Sequence, residues 1–190
     1  MNYLKMTTAA LALTLTFGMA TQSCAPMAMQ EKTVMVGGAP MYATKNIIEN
    51  AVNSKDHTTL VAAVKAAGLV ETLQGDGPFT VFAPTDAAFE KLPAGTVNML
   101  VMPENKEMLT KILTYHVVPG RISAKDLSMW ITKNGGKYMA KTVHGEELSF
   151  WMKNNMMYVT DAKGNSAKIT IADVNQSNGV IHVIDTVLMP

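Results

Sequence analysis

Hydrophobic and polar residues follow two different periods along this chain, and the two meet at residues 79–89. Bulky apolar and β-branched residues alternate over the first four positions, which is typical of a strand with one buried face. Pro84 ends that pattern. Thr85 then supplies a helix N-cap, and Asp86 places a carboxylate at the positive end of the helix dipole. The segment therefore predicts a strand that passes directly into a helix.

A helical period dominates the chain on both sides of this strand. Gly68 follows one apolar stripe and predicts a helix end in the left-handed conformation, whereas Pro103 predicts a helix start. The predicted helices cover residues 47–52, 58–67, 69–73, 86–91, 96–100 and 103–113.

Short alternating segments replace the helical period in the second half of the chain. The predicted strands cover residues 138–143, 147–152, 156–160, 168–171 and 180–188. Residues rich in Gly, Asn and Asp separate them and predict hairpin turns. The last segment is apolar at nearly every position, which indicates a strand covered on both faces. Helices first and an antiparallel meander second predict the α+β fold class.

The N-terminus has the pattern of a targeting segment. Lys5 precedes an apolar run at residues 9–20, which has the length of a signal-peptide core. Residues 1–23 are therefore predicted to be a signal peptide. Residues 24–43 contain Pro, Gly-Gly and scattered Met without a period and predict a flexible linker. The folded domain is predicted to cover residues 44–190.

Cys24 is the only cysteine, so the chain can form no internal disulfide. Two interpretations stay open. Thr21-Gln22-Ser23-Cys24 resembles a loose bacterial lipobox, in which Cys24 becomes the lipidated first residue of the mature protein. Alternatively, cleavage occurs near a small residue and the protein is released. Both interpretations predict export to the periplasm, the cell surface or the medium, with membrane contact only through lipid at Cys24.

Composition and charge exclude several classes of protein. Hydrophobic residues make up 48% of the chain and charged residues 16%, which is enough to build a sizeable core. Removal of residues 1–23 takes away Lys5 and no acidic residue, leaving 15 basic residues against 15 acidic ones. Nucleic-acid binding depends mainly on clustered Lys and Arg, so a neutral mature chain disfavours it.

The sequence contains no recognisable catalytic, metal-binding or cofactor motif. There is no Gly-x-Ser-x-Gly elbow and no glycine-rich phosphate loop, and the four histidines lack metal-ligand spacing. Glu146 and Glu147 are adjacent, but neighbouring residues of a strand face opposite sides. We therefore expect a protein that is not an enzyme and holds no cofactor or metal.

Three segments resemble the signature motifs of the fasciclin (FAS1) domain family. Residues 79–89, FTVFAPTDAAF, resemble the first motif. Residues 113–120, LTYHVVPG, resemble the central Tyr-His motif, and residues 180–190, VIHVIDTVLMP, resemble the closing motif. Their order and spacing agree with the family over residues 44–190. The resemblance implies the FAS1 fold, an antiparallel β-sandwich wedge with helices packed along one side.

The resemblance also implies candidate interaction residues around the Tyr-His motif. In animal members this neighbourhood is associated with integrin-dependent adhesion. The matching residues here are Leu113, Tyr115, His116, Val117 and Val118. The competing interpretation is a core pair, in which the Tyr hydroxyl and the His ring bond to the backbone.

A second adhesion motif of animal relatives matches Lys125, Asp126 and Leu127 in part, because the residues that precede it there are absent here. Local chemistry favours another interpretation. Ser123 and Asp126 have the spacing of a helix N-cap and its third-position acid, which together form a capping box.

Methionine and aromatic residues give the sequence two further candidate features. The chain has 16 Met, with Met27 and Met29 in the predicted linker and Met152, Met156 and Met157 around a predicted hairpin. Thioethers can hold Cu(I), although Met also fills gaps in cores. The aromatic residues of the second half form either an exposed patch or part of the core: Trp130, Phe150, Trp151 and Tyr158.

These patterns predict an exported, non-enzymatic FAS1 module that acts in interaction or adhesion. Its expected partner is a protein or a carbohydrate of the matrix or cell surface. The alternative function is a periplasmic carrier of a small ligand or of copper. Asp185, in the last apolar segment, is expected to bond to backbone or hydroxyl groups and to be structural.

Overall fold

The predicted strand-to-helix segment forms as expected in the computed structural model, which describes residues 33–190. Strand β3 (Phe79–Pro84) ends at its proline, and the Thr85 hydroxyl accepts the Ala88 N–H at 3.3 Å to cap helix α4 (Asp86–Glu90). The Asp86 carboxylate accepts the Thr58 hydroxyl at 2.6 Å and the Thr59 N–H at 2.8 Å. The Asp86 carboxylate therefore joins the start of α4 to the start of the helix at residues 58–67.

The remaining predicted elements form in their predicted order, whereas the strands at residues 34–36, 39–41 and 117–119 were not predicted. The helices are α1 (Ile47–Ala51), α2 (Thr58–Ala67), α3 (Val70–Gln74), α5 (Thr96–Leu100), α6 (Lys106–Tyr115) and α7 (Ala124–Lys133). The strands are β1 (Val34–Val36), β2 (Ala39–Met41), β4 (Val117–Pro119), β5 (Lys137–Lys141), β6 (Glu147–Lys153), β7 (Met156–Thr160), β8 (Ser166–Gln176) and β9 (Gly179–Ile184). A 3-10 turn at Pro103–Asn105 precedes α6.

Seven strands form one sheet in the order β4-β3-β9-β8-β7-β6-β5. Strands β5 to β9 pair antiparallel in succession, as the meander predicts. The last strand then pairs parallel with β3, which the sequence does not indicate. Gly179 makes this pairing possible, because any side chain there would collide with the Phe79 carbonyl. The sheet curls into a near-barrel wedge with helices alongside, so the predicted α+β fold class is confirmed.

Strands β3 and β9 separate two hydrophobic cores. Val81 and Ile181 face the helices in the first core cluster, whereas Phe82 and Ile184 face the curled sheet in the second. A strand buried on both faces has few polar positions, which explains the apolar run of β9. Among residues 33–190, no helix has the length and apolar character needed to cross a membrane.

Residues 34–41 differ from the predicted flexible linker. Strands β1 and β2 form an antiparallel hairpin, and Val36 and Met41 are buried in the first core cluster. Gly37 and Gly38 have φ values of 57° and 74°, which suit a two-residue hairpin turn. The glycine pair that suggested flexibility therefore makes a tight turn. The rest of the predicted linker before residue 33, and the predicted signal peptide, lie outside the described residues.

Asp185 lies just beyond β9 rather than inside the strand. Its side chain is 39% exposed, and its carboxylate accepts the Lys168 N–H at 2.9 Å and the Thr186 hydroxyl at 3.0 Å. The expected bonding to backbone and hydroxyl groups is confirmed, although the expected burial is only partial.

Candidate interaction surface

Tyr115 lies inside the protein, at the junction between α6 and β4. Its hydroxyl donates to the Glu147 carbonyl at 3.3 Å and accepts the Ala162 N–H at 2.9 Å. Burial raises the pKa of the phenol, so it stays protonated and able to donate. These bonds tie the end of α6 to β6 and to the turn after β7.

His116 joins α6 to the C-terminal segment. Its Nδ1 donates to the Ile112 carbonyl at 2.8 Å, and its Nε2 accepts the Leu188 N–H at 3.0 Å. Desolvation by burial lowers the pKa to about 4, although the Ile112 carbonyl and the nearby Asp161 carboxylate oppose the shift. The ring is therefore neutral near pH 7, with its proton on Nδ1.

The five candidate residues around this pair are all buried, with at most 6% of each residue exposed: Leu113, Tyr115, His116, Val117 and Val118. They therefore offer little surface to a partner in this structure, and their role in adhesion stays a prediction. The geometry supports the core-pair interpretation, because both polar side chains bond to backbone groups.

Lys125, Asp126 and Leu127 lie in the first turn of α7. The Ser123 hydroxyl accepts the Asp126 N–H at 3.1 Å, and the Asp126 carboxylate accepts the Ser123 N–H at 3.2 Å, so the predicted capping box is confirmed. The Ser123 hydroxyl also lowers the pKa of Asp126 by bonding to its charged form. Leu127 is fully buried, which leaves Lys125 as the most exposed of the three. Their role in adhesion stays a prediction.

The described residues contain one serine–histidine pair, but it lacks the surroundings that catalysis needs. Ser54 Oγ lies 2.8 Å from His57 Nδ1, and both residues are buried. No carboxylate bonds to the other ring nitrogen, whereas a triad needs an orienting acid and an exposed nucleophile. The ring of His182 is also buried, and its Nε2 lies 2.9 Å from the backbone carbonyl of Ile122. Among residues 33–190, no three His, Cys, Asp or Glu side chains could share a metal ion.

The methionine cluster divides between the two faces of the β6–β7 hairpin. Met152 lies opposite Met157, and both pack against the second core cluster. Met156, opposite Lys153, is 44% exposed. Copper binding therefore stays a prediction, and Cys24, Met27 and Met29 lie outside the described residues.

The aromatic residues also divide between two faces. Trp130, Tyr138 and Phe150 pack in or against the second core cluster. Trp151 and Tyr158 belong to neither cluster and stack on the outer face of the sheet. Their ring centroids are 4.6 Å apart with 16° between the planes. The aromatic residues are thus partly core and partly surface.

Two lysines flank this stack in one row across four strands. Lys137 pairs with Trp151, Trp151 with Tyr158, and Tyr158 with Lys168. Residues directly opposite in neighbouring strands share a face, so these four side chains form one continuous surface. We call this row the sheet platform.

The sheet platform is held in place and positively charged. The Trp151 indole N–H donates to the Thr160 hydroxyl at 2.9 Å, which fixes the ring. Neither platform lysine takes part in an ion pair within the described chain. The Asp185 carboxylate accepts the backbone N–H of Lys168, but its ion pair is with Lys91, whose Nζ lies 3.7 Å away. The platform therefore presents two free ammonium groups around a flat aromatic centre.

Exposed lysines extend this charge along the same face. By strand alternation, Lys141 and Lys153 face the same side as the platform, whereas Glu147 is the acidic residue opposite Lys141.

Part of this surface could be predicted from the sequence. Asn154 and Asn155 suit a two-residue hairpin turn, which places Trp151 opposite Tyr158. The pairing of β5 with β6 and of β7 with β8 could not be predicted in the same way, because longer connections join these strands.

Known proteins similar to this chain agree with its fold. The family model of the fasciclin domain matches residues 55–190. Protein sll1483 of Synechocystis sp. is 48% identical over 173 residues, covering 91% of this chain and 89% of that protein. The cell surface glycolipoprotein MPB83 of Mycobacterium bovis is 34% identical over 174 residues, covering 89% of this chain and 71% of that protein.

A solved structure has the same arrangement of elements. The FAS1 domain pair of the insect cell adhesion molecule Fasciclin I superposes with a TM-score of 0.67. It is 20% identical in sequence, and the match covers 77% of this chain and 51% of that chain. At this identity the likeness concerns the fold, and it confirms the predicted FAS1 fold.

Proposed function

Because this chain belongs to the fasciclin domain family, related to adhesion proteins, we propose that it is a non-enzymatic interaction module that binds its partner through the sheet platform. The observation that carries the proposal is the stacked Trp151–Tyr158 pair between two unpaired lysines. Aromatic residues are enriched in the centres of binding surfaces, because they combine large contact area with little loss of entropy.

The rest of the described surface supports a binding role more than a catalytic one. The Tyr115 and His116 side chains are buried and bond to backbone groups, and the Asp126 carboxylate is part of a helix cap. The sheet platform stands on antiparallel strands, which hold its side chains in fixed register. A rigid, open surface of this kind suits an extended partner better than a small molecule.

The charge of the platform favours an acidic polysaccharide as that partner. Lys137, Lys168 and the neighbouring Lys153 can contact successive carboxylate or sulfate groups, whereas Trp151 and Tyr158 cover the apolar parts of the sugar rings. Attraction between exposed charges is screened by salt, so the affinity should fall as ionic strength rises. A protein partner with an acidic surface is the alternative outcome.

Alginate binding tests the platform. We expect saturable binding that weakens between about 0.05 M and about 0.3 M NaCl. The double variant Lys137→Gln/Lys168→Gln should bind about tenfold more weakly, because two charged contacts are lost. Biolayer interferometry with immobilised alginate measures both effects. Lys65→Gln/Lys111→Gln is the matched control, since it removes the same charge from helices α2 and α6.

The control variant distinguishes a specific binding site from general electrostatic attraction. Equal losses in both double variants would show that only total charge matters. Unchanged binding in the platform variant, or no saturable binding of the wild type, would also contradict the proposal. Trp151→Ala should weaken binding without changing its dependence on salt, because it removes contact area and no charge.

We further propose that the protein lies outside the cytoplasmic membrane, anchored through lipid on Cys24. The lipobox-like residues before Cys24 support this, and one similar protein is named a cell surface glycolipoprotein. Mass spectrometry of the mature protein from membranes should give an N-terminal Cys24 peptide carrying diacylglycerol. Cys24→Ala should release the protein into the soluble fraction. A mature N-terminus at another residue would contradict lipidation, although export would still stand.

A further inference from the structure

Methionine and leucine have similar volumes and hydrophobicity, but the described part of the chain places them in opposite environments. Of the 16 methionines, 11 lie within residues 33–190. Among these 11 only Met41 is buried, whereas eight of the ten leucines in the same range are buried and none is exposed. Methionine therefore does not serve here mainly to fill gaps in the core.

Seven of these methionines are exposed, with between 43% and 58% of each residue open to solvent. Within residues 33–190, the other large hydrophobic residues exposed to this degree are Val52 and Val143. An exposed side chain loses little contact with water on folding, so hydrophobic burial does not explain these positions. The seven are Met35 of β1, Met99 of α5, Met102 in the turn that follows, Met108 of α6, Met129 of α7, Met139 of β5 and Met156 of β7.

The distribution of the seven residues does not favour a single metal site or a docking face. A Cu(I) site requires thioethers that converge on one ion, and a docking face requires one continuous apolar patch. The seven residues instead belong to six different helices and strands and one turn. What they share is exposure, so the relevant property is one that each thioether has independently of the others.

That property is the reaction of a thioether with oxidants. With hypochlorous acid, the oxygen atom ends on sulfur as a new S–O bond, the O–Cl bond breaks, chlorine leaves as chloride and the proton goes to solvent. Sulfur loses two electrons and chlorine gains two, which gives methionine sulfoxide. The sulfoxide is polar, so it is costly in a core but not at a position that already faces water. Met41, which packs in the first core cluster, is the position where oxidation would disrupt the fold, and it is only 3% exposed.

Two of the seven exposed methionines border the aromatic stack of the sheet platform. Met139 lies opposite Ser149 and Met156 lies opposite Lys153, so each is a diagonal neighbour of Trp151 on the same face. An indole ring also reacts with hypochlorous acid, but more slowly than a thioether does. Thioethers in excess over indole rings therefore consume the oxidant first, and Trp151 reports when they are exhausted.

We propose that the seven exposed methionines form a sacrificial oxidation surface, which consumes hypohalous acids at one oxygen atom per thioether while the fold stays intact. The number of exposed thioethers sets the capacity of this surface. The activity is separate from the function proposed for the sheet platform and does not depend on the partner that binds there.

Stepwise addition of hypochlorous acid to the full chain near neutral pH, followed by peptide mass spectrometry, tests the proposal. When the seven exposed methionines are half converted to sulfoxide, we expect less than about a tenth of Met41 and Trp151 to be modified. The melting temperature of this oxidised protein should stay within about 3 °C of that of the untreated protein, because no core contact has changed. Conversion of Met41 or Trp151 at the same dose as the exposed residues would overturn the proposal. A larger fall in melting temperature would overturn it as well, since a sacrificial surface has to leave the fold intact.

Two matched variants relate the uptake of oxidant to exposure. Met99→Leu/Met102→Leu/Met108→Leu removes three exposed thioethers and keeps side chains of similar size, so it should take up about three fewer oxygen atoms per chain before Trp151 reacts. Met41→Leu makes the same change in the core and should leave this uptake unchanged. Equal uptake by the triple variant and the wild type, or reduced uptake by Met41→Leu, would contradict a role for exposure. If either variant does not fold, the order of modification in the wild type still decides the matter.

Discussion

Acidification from about pH 7 to about pH 5 is expected to reduce the free energy of unfolding by about 2 kcal/mol through His116 alone. Burial lowers its pKa to about 4 in the folded protein, against 6.5 for the exposed group. Between these values the unfolded chain binds more protons than the folded protein, so falling pH favours unfolding. The contribution is complete above about pH 6.5 and lost by about pH 4.

Other groups act in the same direction or outside this window. Burial also lowers the pKa values of His57 and His182, so both add to the loss as the pH falls below 6.5. Hydrogen bonds from Thr58 and Thr59 outweigh burial at Asp86, and bonds from Ser123 act on Asp126, so both carboxyl pKa values lie below the ordinary 3.8. Their contributions are lost only at lower pH.

Urea unfolding at several pH values measures this loss. His116→Gln keeps a donor and an acceptor but cannot titrate, so its stability should depend less on pH than that of the wild type. His144→Gln is the control, because the His144 side chain is 23% exposed beside Glu146, whereas His116 is buried. A free energy of unfolding that stays constant over this range would contradict the assignment of His116 as a buried neutral ring.

Tyr115→Phe is expected to destabilise the protein by about 2 kcal/mol while leaving alginate binding unchanged. The variant keeps the ring in the core but removes the hydroxyl that serves the Glu147 carbonyl and the Ala162 N–H. Two backbone groups then lose their partner in a region where α6 meets the sheet. The effect should appear in stability because the residue is fully buried.

Chemical unfolding and alginate binding of the same samples separate the two roles of Tyr115. Tyr138→Phe is a matched control, because Tyr138 packs against the second core cluster, lies outside the sheet platform and has a hydroxyl that forms no hydrogen bond among the described residues. Its loss should change stability by less than about 0.5 kcal/mol. If Tyr115→Phe retains full stability but loses binding, the motif is a contact surface and the core interpretation fails.

Much of the fold could be read from local patterns. Thr85 caps α4 and Ser123 caps α7 as their neighbours in sequence predict, since a cap depends on residues within one turn. The hairpin 34–41 was missed because Gly37 and Gly38 suit both a flexible segment and a tight turn. Only the burial of Val36 and Met41 distinguishes the tight turn from a flexible segment.

Whether the candidate residues form a surface site depends on burial and strand register, which the sequence does not show. The Tyr-His motif was recognisable, but its burial depends on β6 and the C-terminal segment, which lie far away along the chain. Likewise, Trp151 and Tyr158 were candidates, whereas the lysines beside them follow from the register of β5 and β8.

By itself, the sequence determined the family, the fold class and the order of the elements, because signature motifs, periodicity and caps act over short stretches of chain. The tertiary structure decided which of those residues face solvent. It closed β9 against β3 in parallel, buried His116, and set Lys137 and Lys168 on either side of an aromatic stack. Burial and register are properties of contacts between distant segments, and the proposed function rests on them.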